Sequence, residues 1–144
     1  MNVADLIAGR QEVFSITDET TVHDAARYLR EKEVRAVGVC AQNGRLVGVV
    51  SQTDISDKVA AENKCPAWMR VSEIMSTALV TVPPETPLYE CLQLMDKHRI
   101  YHLLVVDEKA GYRGMISVQD LLKVIATDEK ARADLLEAFM FPQR

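Results

Sequence analysis

The sequence predicts an α+β fold made of two β-α-β-β-α repeats followed by a C-terminal helical tail. Three observations carry this reading. Residues 14–54 overlay residues 80–120 at a constant offset of 66 with no gap. Both copies show the same succession of short β-rich runs around one segment with helical apolar spacing. Both copies close on the same spaced residues, Gly48, Ser51 and Asp54 in one and Gly114, Ser117 and Asp120 in the other.

Identity across the overlay is confined to six positions: Glu19/Glu85, Thr20/Thr86, Val39/Val105, Gly48/Gly114, Ser51/Ser117 and Asp54/Asp120. Other pairs, such as Ile16/Val82, Leu29/Met95 and Val37/Leu103, keep size and polarity as core positions require. A shorter echo precedes each copy, Val3–Ile7 resembling Val71–Met75. A self-similar period of this length marks a duplicated supersecondary unit.

Each copy begins with a short lead-in helix, over 2–8 and 70–75, and a short strand, over 13–16 and 79–82. A helix follows. Val22, Ala25, Ala26 and Leu29 recur at helical spacing, as do Leu88, Cys91, Leu92 and Met95. Thr86 followed by Pro87 predicts an N-cap and first helical residue. Two strands come next, over 36–40 with 46–50 and over 102–106 with 112–116, joined by turns carrying Asn43-Gly44 and Gly111. Ser51 or Ser117 opens the last helix. These limits set repeat 1 at 1–63, a Pro-containing linker at 64–69, repeat 2 at 70–128 and the tail at 129–144. In the linker, Trp68 and Met69 are expected to cover the core edge. In the tail, Leu135, Leu136, Phe139 and Met140 form an apolar face that must lie either on the chain's own core or on a partner.

Composition narrows the function. The chain has 144 residues, 48% hydrophobic and 26% charged, which excludes disorder as the main state. Its net charge of -4 argues against nucleic acid as a partner. Cys40, Cys65 and Cys91 make neither a disulfide framework nor a zinc pattern. No secretion signal and no membrane-spanning run is present in the sequence, so a cytoplasmic location is expected.

Ser-x-x-Asp at a helix start is a capping box in its own right. The same helix end can also present N–H groups and a positive dipole to an anion, with the carboxylate accepting hydrogen bonds from a ribose diol. Both readings stay open on the motif alone. Elsewhere His98 and His102 straddle a helix-to-strand change, which disfavours a shared metal. No nucleophile–base pair stands out, and no enzyme is expected.

The stretches 48–54 and 114–120, with the hairpins 34–51 and 100–117, resemble the cystathionine beta-synthase (CBS) domain family, as a tandem pair or Bateman module. The resemblance covers about residues 1–128. It implies pseudo-twofold repeats with clefts that bind adenine nucleotides such as AMP, ADP or ATP, or another adenosyl compound. The nucleotide would be a regulatory ligand rather than a required cofactor. Asp54 and Asp120 would hold ribose hydroxyls, and Ser51 and Ser117 phosphate or ribose. Arg35 with Ala36, and Tyr101 with His102, match the positions that contact phosphate. Backbone at Val34 and Ile100 would face adenine from the opposite repeat. The segments 9–14 and 76–80, including Ser76, Thr77 and Val80, would line the clefts. Lys97, His98, Arg99 and His102 favour the Asp120 side as the tighter site, whereas Glu33 stands where the other repeat has Arg99. A solvated helix end accounts for the same cations equally well. The resemblance also implies a homodimer, associated through faces that here carry Val22, Ala25, Ala26 and Leu29, or Leu121, Leu122, Val124 and Ile125, and a regulated effector protein. A ligand-free assembly domain is the alternative.

Overall fold

The computed structural model describes residues 1–109 and 111–140, with the side chains of 131 and 138–140 outside the description. The expected elements form in the expected order. They are α1 (Val3–Ile7), β1 (Ser15–Thr17), α2 (Val22–Lys32), β2 (Ala36–Cys40), β3 (Leu46–Ser51) and α3 (Gln52–Ile55). After them come β4 (Thr81–Val82), α4 (Leu88–His98), β5 (His102–Asp107), β6 (Gly111–Ser117), α5 (Val118–Thr127) and α6 (Glu129–Met140). α3 runs on into a π-helical turn, Ser56–Ala60. The lead-in of the second repeat is a 3-10 turn, Val71–Glu73, rather than an α-helix. Among the described residues, no helix is long and apolar enough to cross a membrane.

Each repeat builds a three-stranded sheet, ordered β1-β2-β3 or β4-β5-β6, with the first pair parallel and the second antiparallel. Both hairpins shift register at the same place, Val39/Cys40 and Val105/Val106. Gly44 and Gly111 turn the hairpins at φ 86° and 76°, a region open to glycine because it lacks Cβ.

The chain divides into two units, and these cut across the sequence limits of the repeats. One unit is Val13–Leu79; the other joins Met1–Glu12 to the chain from Val80 onward. The lead-in of each repeat thus belongs with the body of the other. The Val3 amide donates to the Thr86 carbonyl at 2.9 Å, and the Val71 amide to the Thr20 carbonyl at 2.9 Å. In the first unit Val71 and Ile74 join Ile16, Val22, Leu29, Val37, Val39, Val50 and Val59. In the second, Val3 and Ile7 join Leu88, Cys91, Met95, Leu103, Ile116 and Leu121. Fully burying one such side chain contributes about 1.5–3 kcal/mol, so a lead-in with two of them is a structural part of the unit it joins.

The capping expected of Thr86 is corrected. Pro87 occupies the cap position of α4 and has no side chain to accept a hydrogen bond, while Thr86 carries the carbonyl that receives Val3. In α2 the cap is Thr21, whose hydroxyl accepts the Asp24 amide at 3.1 Å. Both helices end on a left-handed residue, Glu33 at φ 56° and Arg99 at φ 54°. The next amides, Val34 and Ile100, close back onto Leu29 and Met95 at 3.0 Å each. This reversal turns the chain sharply from helix into strand.

Two further expectations change, and one left open is decided. Trp68 is 86% exposed and covers nothing, whereas Met69 packs against the first unit's core. Most of the faces assigned to association turn into their own cores: Val22, Ala25 and Leu29 in one unit, Leu121 and Val124 in the other. Leu122 stays 55% exposed. The tail packs on the chain itself, since α6 lies against α4 and α5 with Leu135 in the core, while Leu136 points outward. The Phe139 and Met140 side chains, also assigned to that face, lie outside the described residues.

Candidate functional site

Both Ser-x-x-Asp stretches are complete capping boxes. Ser51 Oγ accepts the Asp54 amide at 3.1 Å, and Asp54 Oδ2 accepts the Ser51 amide at 2.9 Å and the Ser51 hydroxyl at 3.0 Å. Ser117 Oγ accepts the Asp120 amide at 3.2 Å, and Asp120 Oδ2 accepts the Ser117 amide at 2.8 Å. One carboxylate oxygen of each aspartate is therefore engaged in helix initiation. Both carboxylates remain partly accessible, with 17% of the Asp54 side chain and 29% of Asp120 exposed.

The residues before the second strand converge on these boxes through the backbone. Ala36 and His102 are the register partners of Ser51 and Ser117. The Arg35 carbonyl accepts the Gln52 amide at 2.9 Å, and the Tyr101 carbonyl accepts the Val118 amide at 3.0 Å. Tyr101 is exposed and His102 is half-buried. Val34 and Ile100 set their side chains against the cores.

The lead-in segments reach the two sites differently. In the first unit Ser76 forms a backbone bridge to Val49, donating at 2.9 Å and accepting at 3.0 Å. This is what Gly48 makes room for. A Cβ there would stand 2.8 Å from Met75 Cγ, and nearer still to its sulfur. Thr77 beyond it is exposed. Val80 belongs to the second unit, where its carbonyl accepts the Leu104 amide at 3.2 Å.

Each aspartate has a cation beside it that sequence reasoning did not pair with it. Lys58, on the π-helical turn, places Nζ 3.2 Å from Asp54 Oδ1 and donates to the Ile74 carbonyl at 2.8 Å. Arg10 places Nη2 3.2 Å from Asp120 Oδ2 and donates from Nη1 to the Met115 carbonyl at 2.6 Å. The i,i+4 spacing of Asp54 and Lys58 was a readable signal. Arg10 offered none beyond being the one cation of its segment.

The basic cluster splits. Lys97 and His98 are exposed in the last turn of α4, where they complement its dipole, and Arg99 is its left-handed cap. In the first repeat the ammonium of Lys32 lies 5.2 Å from the Phe14 ring centre and 5.7 Å from that of Tyr28. Beyond Lys58 lies an open depression of about 460 Å³ that also includes Asp57, Glu62, Lys64 and Glu73. Its mixed charges make it a poor host for an anion. Among the described residues, no His/Cys/Asp/Glu cluster could hold a metal ion.

Comparison with known proteins bears on this arrangement. The CBS domain family matches residues 3–61 and 71–127. The chain is 30% identical over 118 residues to the protein MJ1232 of Methanocaldococcus jannaschii, covering 82% of this chain and 38% of that one. It is 28% identical over 128 residues to the mitochondrial CBS domain-containing protein CBSX3 of Arabidopsis thaliana, covering 86% and 62%. The chain thus spans less than two thirds of the length of these relatives. Among solved structures, a protein with CBS domains from Burkholderia ambifaria superposes with a TM-score of 0.81 at 29% identity, covering 90% of this chain and 96% of that one. The CBS domain protein PAE2072 from Pyrobaculum aerophilum, solved in complex with AMP, superposes at 0.82 with 21% identity and coverage of 96% and 100%. With two matched domains and the same fold in these neighbours, the chain belongs to the CBS domain family, as a tandem pair of repeats.

Proposed function

We propose that this chain is a cytoplasmic regulatory sensor that binds an adenine nucleotide, AMP, ADP or ATP, or a related adenosyl ligand, and signals to a partner protein without catalysing a reaction. The observation that carries the reading is the pairing, in each unit, of a helix-capping Ser-Asp with a partly accessible carboxylate and a cation within 3.2 Å. A carboxylate in that position accepts from a ribose diol, and a neighbouring cation offers a partner to phosphate. Ser51 and Asp54 with Arg35 and Ala36 are one proposed contact set, and Ser117 and Asp120 with Tyr101 and His102 the other. Backbone at Val34 and Ile100 would meet adenine, and Ser76, Thr77 and Val80 belong to a lining segment. The AMP complex of PAE2072 supports the ligand class, as does the CBS pair of MJ0100, solved with 5′-methylthioadenosine and S-adenosylmethionine. A homodimer belongs to the same reading, supported by the exposure of Leu122 and Leu136 at 55% and 56%.

The assembly-domain alternative draws on the same capping boxes, since each aspartate already has structural work. A thermal-shift series with AMP, ADP, ATP, NAD and S-adenosylmethionine separates the two. A ligand that binds only the folded chain raises its melting temperature, by an amount that grows with concentration. No shift with any of the five, at concentrations up to a millimolar, selects the assembly domain.

A further inference from the structure

The two aspartates are held by cations of different kinds. Lys58 sits four residues along from Asp54 and is also tied to a backbone carbonyl. Arg10 comes from the lead-in segment, and it does in the second unit what Ser76 does by backbone in the first. Val49 and Met115 are equivalent positions. The Val49 carbonyl is closed by the Ser76 amide, whereas the Met115 carbonyl is closed by the Arg10 guanidinium. A ladder bond between two main chains cannot be handed to a ligand without opening the sheet edge. A side-chain bond can. Arg10 is also 35% exposed and follows the exposed Gly9.

We propose that Arg10 is a specificity-determining residue that makes the Asp120 site select phosphorylated nucleosides over neutral ones. The inference rests on the reading of Asp120 as a ribose contact. Arg10 and the Ser117 amide share Oδ2 of Asp120, which leaves Oδ1 to accept from a diol with the guanidinium alongside. A neutral nucleoside offers that guanidinium no anion. A nucleotide supplies phosphate, whose oxygens match the planar fork of donors as a carboxylate does. In the first unit the corresponding carbonyl is closed by main chain, and the cation beside Asp54 is Lys58, a point charge without the planar fork.

The test is titration with adenosine and with AMP, followed through the amide signals of Ser117 and Asp120, which report the second unit alone. The unaltered chain is expected to bind AMP more tightly than adenosine by about tenfold or more, the scale of one charge-assisted hydrogen bond. In Arg10→Met the preference collapses towards parity, with adenosine unchanged or tighter and AMP weaker. Arg10→Lys keeps the charge without the fork and retains part of the preference, and it serves in place of the methionine variant if that does not fold. An AMP-to-adenosine ratio unchanged in both variants overturns the role of Arg10 and leaves the nucleotide reading standing. Absence of binding by either compound to the unaltered chain overturns both together.

Discussion

The amide of Val3 donates to the carbonyl of Thr86 at 2.9 Å, fastening the start of the chain to the body of the second repeat. Ile7, on the same lead-in helix, is buried in that unit's core beside Leu88 and Leu121. Ile7→Ala should therefore destabilise the unit from Val80 onward by about 2–5 kcal/mol, the range for a large aliphatic side chain lost from a core. Leu135→Ala should act on the same unit with similar size. Hydrogen exchange locates the loss: it should be concentrated in β4–α6 and sparse in β1–α3. The reverse distribution for Ile7→Ala would contradict the assignment of α1.

Asp120→Ala removes a capping acceptor and the ion pair with Arg10 in one step. Stability should fall by about 1 kcal/mol for the cap, since the ion pair is partly exposed and contributes little more. If the carboxylate also holds a ribose, nucleotide affinity should fall by about tenfold or more beyond that. Calorimetric titration beside thermal melting separates these effects. Ser117→Ala should reproduce most of the stability loss, so any affinity loss peculiar to Asp120→Ala belongs to the ligand.

Gly48→Ala should be destabilising by about 1–3 kcal/mol, because the added methyl group meets the Met75 side chain and the surrounding core has to give. Met75→Ala clears the space, so the double substitution should cost less than the sum of the singles. Additive losses in denaturant titrations would mean that Met75 is not what Gly48 accommodates.

Burial, with the negative charge of Glu90 second, pushes the Cys91 thiol up to about 11 from an ordinary value of 9.0. The unfolded chain can then ionise this thiol at a pH where the folded chain cannot. The stability tied to the neutral thiol is fully present below about pH 9 and is lost as pH rises towards about 11. The stability gap between the unaltered chain and Cys91→Ala should narrow over that window. A constant gap would refute the shift. At pH 8 a thiol reagent should modify the exposed Cys65 first and Cys91 only on unfolding.

The repeat made the strands and helices legible, because Val39/Val105 and Gly48/Gly114 mark the same bulged hairpin twice. Local rules failed where a long-range contact took over. Thr86-Pro87 has the composition of a cap, yet Thr86 is turned to receive Val3, and no local pattern announces a partner so distant in sequence. The apolar stripe of α2 was correctly seen, but a stripe does not say which neighbour covers it. The Ser-Asp boxes were legible from spacing. Of the cations beside them, Lys58 was readable from its i,i+4 spacing, whereas Arg10 meets Asp120 only through the exchange of lead-ins.

That exchange has a consequence for synthesis. The unit Val13–Leu79 is one uninterrupted stretch, complete as soon as Leu79 has left the ribosome. Residues Met1–Glu12 emerge before any of it, yet the carbonyls of Pro84 and Thr86 that receive them do not exist until later. Residues 1–12 are thus made before the unit Val13–Leu79 but dock after it. Until then Val3 and Ile7 lack the apolar cover that Leu88, Leu103 and Leu121 give them in the finished unit.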